Sequence, residues 1–426
     1  METVNVNAAR EPPPFISTGD PASFAMRTIV ERKPRIIQQV IDTNPLTEAV
    51  RQRLGALRTE IAEGVVASPL GAGVDPGSFA KEEWRAWEEE IARYSGHGWL
   101  DIPWYFAEAL FYLKLLVAFG YYDRPSSRDP FELLKERELV DSGGGLDLAR
   151  LLLRTVAKGG AAQEPLPFLL HAALWGNRVD LSNFEIDESH RRRVLVREAD
   201  SLLIDHTDRV LELLRSARRV HMILDNAGSE LACDLLVADR LLSEGAADLS
   251  LTLHVKGAPF FVSDAMVKDA RSTIAAFGSD ADPLLAQPGE RLREALEAGR
   301  VHLADHWFWN SPLHFTSLPP DLRESLSCAD MVIIKGDANY RRILEDRKWD
   351  FSLRMEEIAA YFPAPFVAIR TMKSEIVVDI PRDVVLRLSA LDPEWLTNGR
   401  RGLIRFCAPL RNIRARTIHI TPCGST

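Results

Sequence analysis

The spacing of hydrophobic and polar residues divides the chain into two parts. Up to about residue 217 apolar residues recur at helical spacing, as in 35–42, 81–94, 104–119 and 166–175. From Val220 onward short apolar runs alternate with helical patterns. This alternation predicts a mostly parallel sheet with helices on both faces. The fold class that we expect is α/β, a three-layer α/β/α sandwich with an N-terminal helical bundle domain.

The change of period places a domain boundary near residue 217. We expect residues 1–15, which contain three consecutive prolines, to form a flexible lead-in. Residues 16–217 are then a helical domain that ends in a helix over 200–217, and residues 218–426 are an α/β domain. Strands are predicted at 220–224, 249–255, 331–334, 366–369 and 376–380.

Composition narrows the class of protein. The 426 residues are 46% hydrophobic and 27% charged, which is typical of a soluble globular protein. A net charge of -9 argues against a nucleic-acid or anionic-membrane surface. No apolar run reaches the roughly 18 residues that span a bilayer, and the four scattered cysteines favour a reducing compartment. We therefore expect a cytoplasmic protein with no nucleic-acid or membrane partner, of open oligomeric state.

Acidic residues follow three of the apolar runs. Asp225 and Asn226 end the first, Asp264 follows Phe260 to Ser263, and Asp337 follows the run that begins at Met331. The carboxyl ends of parallel strands meet at one edge of a sheet, where ligands bind in open α/β folds. Oxygen ligands without thiolates or imidazoles suit Mg²⁺ and Mn²⁺. Each of these residues alone is more often a helix N-cap, but three acidic strand ends favour a cation site.

Basic residues near the same edge supply the charge that a phosphate needs. Lys335, Arg341 and Lys373 lie at or just after strand ends. Phosphoryl transfer requires positive charge around the equatorial oxygens. Lys373 could instead be a solvated surface residue.

Further residues have both a functional and a structural interpretation. Gly228 permits close backbone approach before a helix, and Glu230 lies one turn into that helix, within reach of a substrate hydroxyl. Asp337 and Asn339 can hold sugar hydroxyls or serve as turn residues. Glu108 interrupts a strongly apolar helix, so it is either a site residue or the buried partner of a Lys or Arg.

Several motifs in this order resemble the damage-control phosphatase family, once a domain of unknown function. They are Pro103 to Glu108, Leu174 to Ser182, Asp225 to Glu230, Phe261 to Asp264, Lys335 to Arg341 and Arg370-Thr371-Met372-Lys373. The last motif, Arg-Thr-x-Lys, is similar to that of the third subfamily, which includes the acidic-residue methyltransferase type.

The resemblance implies metal-dependent hydrolysis of small phosphate monoesters, including sugar phosphates and damaged metabolites. It makes Asp225, Asn226 and Asp264 the catalytic residues and metal ligands. Glu230, Asp337, Asn339, Tyr340, Arg341 and Lys373 are then substrate-binding residues, with Glu108, Asn177, Arg178, Asp180, Arg370 and Thr371 as supporting candidates around them. The expected cofactor is a divalent metal, Mn²⁺, Ni²⁺, Co²⁺ or Mg²⁺, and the partner is a small phosphorylated metabolite attacked by a metal-activated water. An aspartyl-phosphate intermediate is the alternative to that water.

Two other functions are compatible with the resemblance. One is an S-adenosylmethionine-dependent protein carboxyl methyltransferase, which the lack of a glycine-rich dinucleotide-type loop disfavours. The other is a non-catalytic phosphometabolite-binding protein, which the intact ligand residues disfavour. The chain departs from the family pattern at Tyr112-Leu113-Lys114, Ala338 and Val378-Asp379. These departures leave the metal residues intact but affect the expected pocket walls.

Overall fold

A computed structural model describes residues 11–408 except 22, 71–73, 75, 124–127, 160–164 and 177–200. Seven strands form one sheet: β1 Leu202–Asp205, β2 Arg219–Ile223, β3 Ser250–Val255, β4 Val301–Asp305, β5 Met331–Lys335, β6 Phe366–Thr371 and β7 Gly402–Cys407. Their order across the sheet is β1-β7-β6-β5-β2-β3-β4. Strands β2 to β6 pair in parallel, whereas β7 is antiparallel to β6. The predicted mostly parallel sheet is confirmed.

The sheet is buried on both faces, which explains why its central strands are continuous apolar runs. Neighbouring side chains of β5 point to opposite sides, so Ile333 belongs to one core and Ile334 to the other. Helices cover each core, and the expected three-layer α/β/α fold is confirmed.

Sixteen α-helices lie in the described part of the chain. They are α1 Phe24–Arg27, α2 Lys33–Thr43, α3 Glu48–Glu63, α4 Lys81–Tyr94, α5 Trp104–Phe119, α6 Glu132–Val140, α7 Gly145–Gly159, α8 Pro165–Trp175, α9 Thr207–Leu214, α10 Ser229–Glu244, α11 Val267–Gly278, α12 Pro283–Glu297, α13 Pro320–Ser327, α14 Asp337–Ile343, α15 Met355–Ile358 and α16 Arg382–Leu391. A π-helical turn, Thr28–Arg32, joins α1 to α2.

Helix α5 lies at the centre of the N-terminal helices. It is buried at every position except Val117 and Phe119, as expected for a helix that is apolar on all sides. Its core also contains Phe260, from the loop that follows β3. The N-terminal helices therefore pack directly against the edge of the sheet where β3 ends.

Two of the predicted elements are wrong. The expected helix over 200–217 is the strand β1 followed by the shorter helix α9. The sheet therefore begins before the expected boundary near residue 217, and the division into two domains stays a prediction. The expected strand over 376–380 does not form, because Asp379 adopts a left-handed φ of 66° and Arg370 occupies the carbonyl of Ile376. None of the described helices combines the length and apolarity that a membrane span requires.

Candidate metal and phosphate site

The loops after β2 and β3 bring Asp225, Asn226 and Asp264 together. The Ala265 N–H donates to the carbonyl of Asp225 at 2.8 Å, and the Ala227 N–H donates to the carbonyl of Ser263 at 2.6 Å. Asn226 and Asp264 therefore face each other in an antiparallel bridge. The side chains that the sequence places at two separate strand ends form one cluster.

A strained turn aims Asp264 at this cluster. Phe261 and Val262 have φ values of 51° and 71°, in the left-handed region that non-glycine residues rarely adopt. The cost is greatest for Val262 because its side chain is β-branched. Such strain persists where the surroundings hold the chain, and here the Phe261 ring packs on Tyr112 with centroids 5.2 Å apart.

A third loop closes over Asp225 from the end of β5. Gly336 has a φ of 86°, and a Cβ at this position would lie 2.0 Å from Asp225 Oδ2. Only glycine permits this approach. The loop that carries Asp337 to Arg341 is thereby held against the carboxylate cluster.

The two carboxylates lack enough positive charge in their immediate surroundings. Burial raises the pKa of Asp225 well above its ordinary value, and the charges of Asp264 and Glu230 raise it further. Burial also raises the pKa of Asp264 to about 6, although Lys256 opposes the shift. The Lys256 ammonium lies 3.3 Å from Asp264 Oδ2 and donates to the carbonyl of Trp309. Sequence reasoning missed Lys256, although it directly follows β3.

Glu230 is held in its ionised form. Its carboxylate accepts hydrogen bonds from Asn226 Nδ2 at 2.8 Å and from the buried Lys335 ammonium at 2.9 Å. Burial alone would raise the pKa of Glu230, but Lys335 and the two hydrogen bonds lower it below its ordinary value. Lys335 also contacts Asp234 and donates to the carbonyl of Ala173. These contacts fix the position of the ammonium that binds Glu230.

The Asp337 loop is fixed by residues of the Arg-Thr-x-Lys segment. The buried Arg370 donates to Asp337 Oδ1 at 2.7 Å, and the Ser374 hydroxyl donates to the same oxygen at 3.0 Å. Thr371 is buried at the end of β6. Arg370 thus acts as a support for Asp337.

Asn339 and Tyr340 are turned toward the protein interior. The Asn339 amide donates to the carbonyl of Lys335 at 2.9 Å, so it fixes the end of β5. The Tyr340 ring belongs to the core beneath the sheet and its hydroxyl accepts from the Val378 N–H at 3.3 Å. The geometry does not bring the Tyr340 side chain to the carboxylate cluster.

Arg341 combines a fixed position with a spare donor. Its Nε donates to the buried Asp346 at 2.6 Å, and its guanidinium lies 3.5 Å above the centre of the Trp104 ring. Among the described residues its Nη1 has no hydrogen-bond partner although it is buried. A buried guanidinium with an unused N–H suits an anionic ligand.

Lys373 lies close to three carboxylates. Its half-buried ammonium lowers the pKa of Asp225, Glu230 and Glu138, in each case against the larger effect of burial. Within the described part of the chain it forms no ion pair shorter than 4.0 Å. The ammonium is therefore near the cluster but is not held by one partner.

Glu108 is a buried ion-pair partner, one of the two roles that the sequence left open. It contacts the ammonium of Lys33, which is itself completely buried and lies 4.6 Å from the centre of the Phe111 ring. Burial lowers the pKa of Lys33 to about 8, although Glu108 opposes the shift. Glu108 thereby neutralises a cation next to the site.

The sequence did not indicate Arg32 as a site residue, and it predicted Tyr112 as a core residue, which its burial confirms. Arg32 ends the π-helical turn and is accessible to solvent. Desolvation by the protein atoms around its guanidinium lowers its pKa, but the charges of Tyr112, Glu108, Asp264 and Asp337 raise it, and the net shift is upward. The Tyr112 hydroxyl is buried and has no partner among the described residues. Both residues come from helices that are remote in the sequence, and the only local signal was the paired charge of Arg32-Lys33 before an apolar stripe.

Glu138, on α6, also reaches the site. A Cβ on Gly228 would lie 2.6 Å from Glu138 Cδ, so the Glu138 side chain packs against the turn that precedes α10. No sequence signal distinguished it from the other charged residues of this helix. The candidates Asn177, Arg178 and Asp180 lie outside the described residues.

The cluster fits a hard divalent cation. Asp264 Oδ2 is buried, and the Lys256 ammonium lies 3.3 Å from it. The described residues contain no group of three or more His, Cys, Asp or Glu side chains that could hold a metal ion, so the amide oxygen of Asn226 would have to serve as the third ligand. Two carboxylates and one amide are all oxygen donors, as Mg²⁺ and Mn²⁺ prefer, and leave positions for a phosphate oxygen.

Comparisons with known proteins identify the family of this chain. The chain matches the damage-control phosphatase ARMT1-like domain over residues 28–386. It is 31% identical to damage-control phosphatase ARMT1 of Mus musculus and 31% identical to that of Rattus norvegicus, in each case over 94% of this chain and 100% of the relative. A solved DUF89 family protein from Pyrococcus horikoshii covers 89% of this chain and 96% of its own at 14% identity, with a TM-score of 0.49. The chain therefore belongs to the damage-control phosphatase ARMT1-like family, as its motifs predicted.

Proposed function

We propose that this protein is a metal-dependent phosphatase that hydrolyses small phosphate monoesters. The observation that carries the proposal is the pair of buried carboxylates, Asp225 and Asp264, with Lys373 beside them. Two carboxylates with raised pKa values are costly without a cation, and a divalent metal would remove that cost. The printed names of the mouse and rat relatives support the same activity.

The residues have distinct roles in this proposal. Asp225, Asn226 and Asp264 would hold the metal, which when bound neutralises phosphoryl charge and lowers the pKa of water. Lys373 and the spare Nη1 of Arg341 would bind the phosphoryl oxygens.

The groups around these ligands position them. Asn226 is oriented by Glu230 and by the Ser263 hydroxyl, which donates to Asn226 Oδ1 at 2.5 Å. Lys335 keeps Glu230 ionised, so Glu230 can accept a hydrogen bond from a substrate hydroxyl or a water. The surrounding helices exclude bulk water, which strengthens each charged contact.

The finer assignments belong to the same proposal. The Arg-Thr-x-Lys segment supports membership of the third subfamily, and the oxygen donors support Mn²⁺ or Mg²⁺, with Ni²⁺ and Co²⁺ as further candidates. Sugar phosphates are the proposed substrates because Asp337 and Glu230 can accept hydrogen bonds from hydroxyl groups. A cytoplasmic location rests on the cysteine pattern alone.

The test is a phosphatase assay of the purified chain over p-nitrophenyl phosphate, sugar phosphates and nucleotides with each metal. We expect metal-stimulated phosphate release that Asp264→Asn abolishes while circular dichroism remains unchanged. Full activity in that variant would refute the metal role, and no activity of the wild type with any metal would refute the function. Calorimetric titration with S-adenosylmethionine tests the methyltransferase alternative, for which we expect no heat of binding.

A further inference from the structure

The chain before α1 is bonded to the loops around the candidate phosphate site. We call residues 13–24 the N-terminal strap; residue 22 lies outside the described part of the chain. The Ile16 N–H donates to the carbonyl of Asp346 at 2.8 Å, and the Trp104 N–H donates to the carbonyl of Ile16 at 2.9 Å. The strap therefore passes between the start of α5 and the loop that follows α14.

The loop beside the strap has a strained backbone. Glu345 and Asp346 have φ values of 53° and 52°, in the left-handed region that non-glycine residues rarely adopt. A strained backbone of this kind is retained only where neighbouring groups fix it. Here the Arg347 guanidinium lies 3.8 Å from the centre of the Phe15 ring and donates to the carbonyl of Pro13 at 2.7 Å. The strap therefore supplies contacts that keep this loop, and Asp346 within it, in place.

Asp346 is the residue that orients Arg341. Its buried carboxylate accepts hydrogen bonds from Arg341 Nε at 2.6 Å and from the Tyr105 N–H at 3.1 Å. The other support of the guanidinium is the Trp104 ring, whose centre lies 3.5 Å away. Ile16 is bonded to the backbone of both Asp346 and Trp104. A shift of the strap would therefore move the two groups that hold this guanidinium.

The other end of the strap contacts the segment that carries Lys373. Phe24 is the first residue of α1, so its N–H has no acceptor within the helix. It donates instead to Glu375 Oε1 at 2.8 Å. Glu375 lies two positions after Lys373 in the irregular segment that follows β6. Both cations assigned to the phosphoryl group, Arg341 and Lys373, are therefore attached to loops that the strap contacts.

We propose that the N-terminal strap sets the positions of Arg341 and Lys373 and so determines how tightly the site binds a phosphoryl group, a proposal that rests on the phosphatase function proposed above. The metal ligands lie on the loops after β2 and β3. Among the described residues, the strap forms no hydrogen bond or ion pair with those two loops. Loss of its contacts should therefore weaken phosphate binding and leave metal binding intact.

Glu375→Ala tests one end of the strap, because it removes the acceptor of the Phe24 N–H. We expect the KM for p-nitrophenyl phosphate and the inhibition constant of inorganic phosphate to rise about fivefold. The value of kcat and the affinity for Mn²⁺ in calorimetry should stay within about twofold of the wild type, as expected when only substrate binding is lost. Glu375→Gln keeps an oxygen acceptor and is the matched control, which should behave as the wild type.

Phe15→Ala tests the opposite end, because it removes the ring that contacts Arg347. The same two constants should again rise about fivefold. Independent effects of Phe15 and Glu375 would multiply to about 25-fold in the double variant, whereas effects through one strap should give about five- to tenfold. Asp20→Asn removes an exposed ion pair between the strap and Lys348 and should leave KM unchanged.

Thermal unfolding should show that the variants fold, and if one alanine variant does not, the other decides. An unchanged KM in a folded alanine variant would overturn the proposal, as would a multiplicative effect in the double variant. A loss of Mn²⁺ affinity as large as the loss of phosphate affinity would show a general structural role, and a Glu375→Gln protein as weak as Glu375→Ala would show that charge matters instead; either result would overturn the proposal. A wild type without phosphatase activity with any metal would refute the proposed function, whereas an active wild type with unaffected variants would refute the role of the strap alone.

Discussion

Gly336→Ala should disable the site while it only moderately lowers stability. The methyl group would sit 2.0 Å from Asp225 Oδ2, whereas ordinary contacts begin at 3.4 Å, so the carboxylate has to move by about 1.4 Å. A displacement of about 1 Å in a catalytic arrangement typically costs about 100-fold in rate. Gly336 has a φ of 86° and a ψ of 167°, a conformation that is essentially restricted to glycine, so alanine adds roughly 1 to 3 kcal/mol of destabilisation. The measurements are kcat/KM for p-nitrophenyl phosphate with Mn²⁺ and the free energy of unfolding in urea.

Gly96→Ala separates the two effects. Gly96 has a nearly equal φ of 82°, but no neighbouring atom lies within 4 Å of its Cβ position. This variant should lose roughly 1 to 2 kcal/mol from its positive φ and keep the wild-type rate. A Gly336→Ala protein with near wild-type activity would show that the contact with Asp225 does not position the carboxylate. A loss of rate in Gly96→Ala as large as that in Gly336→Ala would also show that displacement of Asp225 is not the cause.

Three further predictions follow from charges around the cluster. Burial raises the pKa of Asp264 to about 6, above its unfolded value of roughly 3.9, so the stability of the metal-free protein should fall as pH rises through this interval. Mn²⁺ binds the ionised carboxylate, so adding Mn²⁺ should raise the unfolding temperature more at pH 7 than at pH 5. Equal increases at the two pH values would contradict the assignment of Asp264 as a metal ligand. Arg32→Gln should raise the KM for p-nitrophenyl phosphate about tenfold, whereas Arg35→Gln, on the exposed side of α2, should leave steady-state kinetics unchanged. Lys335→Met leaves two buried carboxylates without their cation and should cost about 3 to 5 kcal/mol in urea unfolding; a cost below about 1 kcal/mol would mean that Lys335 is not their main counterion.

The sequence predicted the parts of this fold that depend on local patterns. Apolar runs identified β2, β3, β5 and β6, and the rule that parallel strands end at one edge brought Asp225 and Asp264 together before their contact was known. The strand β1 was missed because three of its four residues are only half-buried, the fourth is exposed, and all of them lie within a helical pattern.

The remaining site residues depend on long-range packing. Arg32 and Glu138 lie on helices whose local sequence carries no sign of the sheet edge, and only the tertiary fold brings them there. The buried pair of Lys33 and Glu108 was predicted in part. A carboxylate within an apolar helix indicates a possible Lys or Arg partner, but the sequence does not say which residue it is. Tyr340 shows the opposite case, because a residue in a recognisable motif turns its side chain into the core.

Phe260 is part of the helical-bundle core, four positions before Asp264 in the chain. The bundle thus sets the path of the loop that delivers one metal ligand, while the sheet delivers the other two. Substitutions in the bundle interior can therefore shift the distance between ligands without changing any ligand. Among relatives, we expect metal preference to diverge through the packing around Phe260 and Phe261 and the three oxygen donors to stay the same. Changes in the helical bundle would then alter the metal preference of a site whose ligands do not change.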